Sequence, residues 1–421
     1  MSVSQAKSFK LSNKIFAKNK RVVLLVFLVT LLALILFFNV RFSQNVAFAD
    51  SKNSKESISK DLEKAIEELA SRIDSDTMQK FVDSLTGEEA EFLSVKNVVE
   101  TIKKLASGDS GNFFERIFSL LGETFGKYFL SFLPSFLTIL IICVLKSILS
   151  GLTGDFLDNS TTEVVHIVLY ASVITILMTG IVKILGTVVG TMERMTSFSE
   201  ATFPVLLTLL SAVGGVTSVG TFSPMLAVLS KGIISIIVKV IVPAFIAVVV
   251  FSVVGNISKT VKLDKLTHLI KTVSSWIIGV VFGLFATFLT VQGITGGVAD
   301  KFGFNVAKFA LSGYVPILGG YLSDGFDIIS SSMVIVKNAF GYFACIVLVA
   351  TILFPMLKVM AFSLTLRATA AIVEPIGDER VAKLLHTLAE NINLLITALA
   401  GVGFLFFLTI MMMVASCNMG V

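Results

Sequence analysis

An all-α, polytopic membrane fold with about six spans is what this sequence predicts, and three observations carry the prediction. The 421 residues are 55% hydrophobic and only 15% charged, where a soluble domain carries about 25% charged residues. The apolar residues fall in blocks long enough to cross a bilayer, which takes roughly 20 residues as a helix. Those blocks are apolar on every face, whereas a membrane barrel would alternate at period two. Lipid offers no water to backbone amides, so such blocks must be helical.

The elements follow in chain order. Residues 1–49 read as a secretory signal. Lys7, Lys10, Lys14, Lys18, Lys20 and Arg21 form a basic start without an acid, Val22 to Phe38 is an apolar core, and Ala47-Phe48-Ala49 offers a cleavage site. An uncleaved signal anchor is the alternative. Either way residues from Asp50 onward are placed outside the cytoplasm. Residues 50–112 carry 14 acidic and 9 basic side chains and read as an extracytoplasmic helical region. Ile58, Leu62, Ile66, Leu69 and Ile73 recur at helical spacing, as do Phe92, Val95, Val99, Ile102 and Leu105. Stripes this narrow build little core alone. Residues 113–127 (Phe113, Phe114, Ile117, Phe118, Leu121, Phe125) form an amphipathic stripe suited to the membrane surface.

The membrane domain, 128–415, holds spans at about Tyr128–Leu145, Val164–Val182, Val240–Gly255, Val273–Val291, Asn338–Leu357 and Ile392–Val414. Two further stretches are apolar but awkward. Phe203–Leu229 contains Gly214, Gly215, Gly220 and Pro224, and Lys358–Val373 carries Arg367 and runs into Glu374-Pro375. Basic residues orient the chain. Loop 256–272, with Lys259, Lys262, Lys265 and Lys271, belongs inside, as does the stretch holding Lys358, Arg367, Arg380 and Lys383. Both land correctly only if Phe203–Leu229 does not cross by itself. It is therefore expected to be broken or re-entrant, and broken backbone at membrane depth is buried in protein or lines a cavity.

Catalytic signals are absent. Cys143, Cys345 and Cys417 lack metal or redox spacing, and His166, His268 and His386 are dispersed. There is no phosphate-binding loop and no nucleophile elbow. No cofactor, metal or nucleic acid is expected, and the chain does not read as an enzyme. Gly186/Gly190 and Gly279/Gly283 have the spacing of closely packed helices, although 30 glycines make chance an equal explanation. Lys239 and Lys337 flank apolar runs, where snorkelling from a span end is favoured over a buried functional charge. The second interrupted stretch, 293–332, holds Pro316, Gly319 and Gly320, followed by Asp324 and Asp327. With Gly214, Gly215 and Pro224, and with Glu374, Asp378 and Arg380 beyond the awkward helix, these are the candidate pore-lining or partner-docking residues. Paired broken segments line central sites in transporters; a structured loop with capping aspartates is the plainer reading.

Three stretches are more specific: 210–224 (LSAVGGVTSVGTFSP), 313–327 (GYVPILGGYLSDGFD) and 370–380 (AAIVEPIGDER). In this order they resemble the stage III sporulation protein AE family of endospore-forming Firmicutes. The resemblance implies a polytopic component of the mother-cell-to-forespore channel, a transenvelope complex related to specialised secretion systems. It implies as partners the other stage III A proteins, an ATPase and ring-forming components among them, beside membrane lipid. The implied location is the mother-cell membrane around the forespore. It implies no catalytic residues. A stand-alone secondary transporter is the alternative function.

Overall fold

The computed structural model describes residues 75–416 apart from 86, 94, 96, 107–112, 157–158, 258–262, 315–318 and 377–378. The signal, the proposed cleavage site and the helix expected around Ile58–Ile73 lie outside the described residues. Every regular element among the described residues is helical. Three short helices come first: α1 (Ser75–Ser84), α2 (Glu88–Leu93) and α3 (Val98–Ala106). Long helices follow: α4 (Phe113–Phe156), α5 (Asn159–Ala212), α6 (Val216–Ala227), α7 (Val242–Ile257), α8 (Asp264–Tyr314), α9 (Gly319–Val373) and α10 (Glu379–Ala415). Between α6 and α7 the chain stays helical through two π-helical stretches, Val228–Ile233 and Ile237–Ile241. Among the described residues six helical stretches are long and apolar enough to cross a membrane.

Several expected boundaries fall inside single helices. The amphipathic stripe at 113–127 and the first span form one helix of 44 residues. Lys358–Val373 continues the fifth span within α9. Helix α5 runs 54 residues, passing Pro204 without ending, which at about 1.5 Å per residue is roughly 80 Å, well beyond a hydrocarbon core of about 30 Å. Phe203–Leu229 is thus broken once, at the turn between α5 and α6, and its two arms are the ends of long helices.

Helix α9 is the centre of the bundle. Phe343, Ala344, Val347, Ala350, Val359, Ala361 and Leu366 have no exposed surface. It packs on α10 along most of its length and on α2, α3, α4, α5 and α8. Glycine permits close approaches: a Cβ on Gly403 would stand 2.7 Å from Ile352, and one on Gly180 2.8 Å from Phe362. Apolar side chains turned outward, such as Trp276 and Leu284 on α8 and Leu130 and Ile141 on α4, suit a lipid surround. The ends of the bundle are defined by contacts: Lys383 reaches Asp264 at 3.9 Å at one end of α8, while Asp300, on the far half of α8, meets the start of α6. A cysteine at Lys262 is expected to resist an impermeant thiol reagent in intact cells, and one at Gly319 to react. The reverse pattern would overturn the orientation drawn from the basic loops.

Candidate functional site

The interruption at Gly214-Gly215 is built by the backbone itself. The Gly214 amide donates to the Ser211 carbonyl and the Gly215 amide to the Leu210 carbonyl, both at 2.9 Å. Gly214 has φ +91°. This is the Schellman way of closing a helix, which favours glycine at the left-handed position. Gly215 then begins α6, and its lack of a side chain leaves the first amides of α6 without a local cap. Asp300 of α8 supplies the cap from 82 and 83 residues away: Oδ1 accepts from the Thr217 amide at 2.8 Å and Oδ2 from the Ser218 amide at 2.9 Å. The carboxylate is 4% exposed. A negative group at a helix N-terminus also meets the positive end of the helix dipole. One turn before Asp300, Gly296 brings the helices together, since a Cβ there would lie 3.0 Å from the Ser218 hydroxyl. Phe304, one turn beyond, stands 3.9 Å from where a Gly214 Cβ would be.

The two interrupted stretches thus touch through 214–218 and 296–304. Asp300 is the residue that sequence reasoning missed. Its signal was present as a lone acid closely following Gly296-Gly297 at the end of a long apolar run, which is costly unless the acid has hydrogen-bond partners. Of the candidates, Gly214 and Gly215 form the turn. Pro224 lies on the exposed face of α6, and the π-helical turns begin four residues later, an irregularity common at functional positions. Gly319 and Gly320 open α9 as helical backbone. Asp324 and Asp327 lie in α9, and their side chains are outside the description; Pro316 and Asp378 lie outside the described residues altogether. Glu374, in a short 3-10 turn, and Arg380, at the start of α10, are both exposed. They belong to the Asp264 end of α8, 36 residues from Asp300 or roughly 54 Å along the helix. Gly214, Gly215 and Pro224 thus lie apart from Glu374 and Arg380.

Lys337 and Asn391 make further polar junctions between helices. Lys337 is 0% exposed, so the snorkelling expectation for it is corrected: its ammonium donates to the Ser416 carbonyl at the end of α10. There a cation meets the negative end of a helix dipole. Lys239, in the second π-helical stretch, is exposed. Further along, buried Asn391 of α10 donates to the Ser252 hydroxyl of α7 at 3.1 Å and accepts from Lys271 of α8 at 3.3 Å. These groups join helices by hydrogen bonds, and no cluster of metal-ligating side chains occurs among the described residues. Replacing Lys337 by Met, which keeps the length without the charge, is expected to leave the protein level in membranes within about twofold. Lys337→Glu is expected to abolish accumulation, because an acid would face the carbonyl end of α10. Immunoblots of membrane fractions decide this, and equal levels of the two variants would refute the capping role.

The comparisons agree with the bundle. A family model described as "Stage III sporulation protein AE" matches residues 96–417. Stage III sporulation protein AE of Bacillus subtilis (strain 168) is 25% identical over 282 residues, covering 67% of this chain and 71% of the relative. No solved structure matches. The matched region takes in the Gly214-Gly215 turn, Asp300 and all six long apolar stretches, and the chain belongs to the stage III sporulation protein AE family.

Proposed function

We propose that this chain is a membrane-embedded channel or platform subunit of the mother-cell-to-forespore transenvelope complex. Membership of the family gives it a role in sporulation. The observation that carries the finer reading is the junction of the two interrupted helices, where one buried carboxylate holds the α5–α6 turn against α8. A bundle joined at one end by a few polar contacts can be remodelled there without disturbing the apolar packing of α9. The expected partners are the stage III A ATPase and ring-forming proteins, in the mother-cell membrane around the forespore. Deleting the chain is expected to arrest development after engulfment, with vegetative growth unchanged, and the tagged chain is expected to co-purify with those partners from sporulating cells. Slow vegetative growth would refute the reading.

A secondary transporter is favoured by one observation, the meeting of the broken α5–α6 stretch with the far half of α8. It requires solute uptake by the purified chain alone in liposomes. Uptake without partners would replace the complex by this alternative.

A further inference from the structure

The short helices α1–α3 precede the bundle in sequence, and they pack upon it through unlike contacts. Met78 of α1 is buried with its sulfur accepting from the Thr202 hydroxyl of α5 at 3.8 Å, and Phe81 meets Phe198 edge to face at 5.6 Å. Phe92 of α2 meets Phe354, in the middle of α9, at 5.7 Å. The Gln79 side chain accepts from the Val98 amide at 2.9 Å, tying α1 to α3. Between these apolar anchors lies one ion pair: Glu89 of α2 stands 3.2 Å from Arg194 of α5. Glu89 is 5% exposed. One of its oxygens, Oε2, and the Nε of Arg194 are buried without a hydrogen-bond partner.

We propose that α1–α3 form a strap over α5 and α9, held by the apolar anchors and made pH-sensitive by the buried Glu89–Arg194 pair, and that the strap loosens as the pH rises. The pair is poorly satisfied, and burying a charge whose lone pairs stay empty costs more than the attraction returns. Protonating Glu89 removes that cost, while Arg194, about a third exposed, keeps its contact with water. The surrounding groups act in both senses, and burial outweighs the rest. Burial pushes the Glu89 carboxyl up to about 7 from its ordinary 4.5; Arg194 opposes this and Glu88 adds to it. On the neighbouring elements, α4 contributes Tyr128 beside Glu88 and Glu89, and Lys127 near Glu88 and Glu91. Helix α5 adds exposed Glu193 and Glu200, and α9 brings Phe354, with Lys358 one turn on.

The direction follows from linkage. A carboxyl raised in the docked state binds its proton more tightly there than when released. Docking is therefore fully favoured below about 4.5 and weakens until the pH passes about 7. Between pH 5 and pH 8 the docked-to-released ratio is expected to fall on the order of ten- to a hundred-fold. The family match, from residue 96, takes in α3 and Arg194 but neither α1 nor α2; the strap uses no residue of the Asp300 junction, so it is independent of the conduit reading.

The test uses the full chain in liposomes, with Cys143, Cys345 and Cys417 replaced by Ala and nitroxide labels at Ser84→Cys and Ser197→Cys, two exposed positions flanking the Phe81–Phe198 contact. Pulsed electron resonance should give one short distance at pH 5 and a growing longer population at pH 8. Glu89→Gln should hold the short distance at both pH values. Arg194→Gln should enlarge the longer population at pH 8. A distance distribution that does not change between pH 5 and pH 8 in the parent overturns the proposal, whatever the variants do. So does a pH response that survives unchanged in Glu89→Gln.

Discussion

Asp300→Ala is expected to destabilise the protein by about 2–3 kcal/mol, because it strands the buried Ser218 amide and the half-buried Thr217 amide at once, an unpaired buried amide costing about 1–3 kcal/mol. Those amides, of Thr217 and Ser218, donate to the Asp300 carboxylate, and Gly215 offers no side chain in its place. Asp300→Asn keeps one acceptor oxygen and should lose about half as much. The decisive arm is a rescue. Gly215 has φ −78° and occupies the N-cap of α6, a position where serine caps a helix from within by about 1 kcal/mol. Gly215→Ser should therefore recover part of the loss in Asp300→Ala and change little in the parent. Thermal unfolding of the detergent-solubilised chain measures the first effect, and the yield of heat-resistant spores the second. If Asp300→Ala melts with the parent, the clasp has no energetic weight, and the conduit reading loses its central observation.

The length and apolarity of the spans were legible because bilayer thickness imposes a count of residues that no tertiary contact can relax. Gly214-Gly215 was legible as a break for a similar reason, since a left-handed backbone position selects glycine locally. What the sequence could not show was where helices extend past a span. The stretch from Lys183 to Thr202, with Glu193, Arg194 and Glu200, follows the second expected span and belongs to none of the expected spans. It forms helix because α1 and α2 cover its Arg194, Phe198 and Thr202. Asp300 was hidden for a related reason: its partners are more than 80 residues distant, and a lone acid near the end of an apolar run looks the same whether it caps a remote helix or faces water. Lys337 was assigned to the surface on the strength of its position at a span end, yet α10 ends beside it and buries it. Each difference has one source, namely that local pattern fixes what a segment is and the neighbouring helix fixes what its polar groups do.

The glycines sharpen that distinction into a second large effect. Spacing pointed to Gly279/Gly283 and Gly186/Gly190 as close-packing pairs, but a Cβ at any of these four positions meets nothing within 4 Å. The tight approaches are at Gly401, where a Cβ would enter the ring of Phe282, and at Gly341, where it would collide with Val414. Neither shift is small: a Cβ on Gly401 displaces the whole half-buried Phe282 ring, and Val414 is buried and β-branched. Gly401→Ala and Gly341→Ala must therefore push α10 away from α8 and from α9, at a cost of about 3 kcal/mol or more, the upper part of the usual overpacking range. Gly279→Ala with Gly283→Ala should behave oppositely, gaining about 0.5–1 kcal/mol per site, because glycine inside a helix is entropically unfavourable and nothing there requires it. Melting curves in one detergent, with all variants side by side, separate the two sets. A Gly279/Gly283 double variant as damaged as Gly401→Ala would mean that the outward face of α8 is packed against protein.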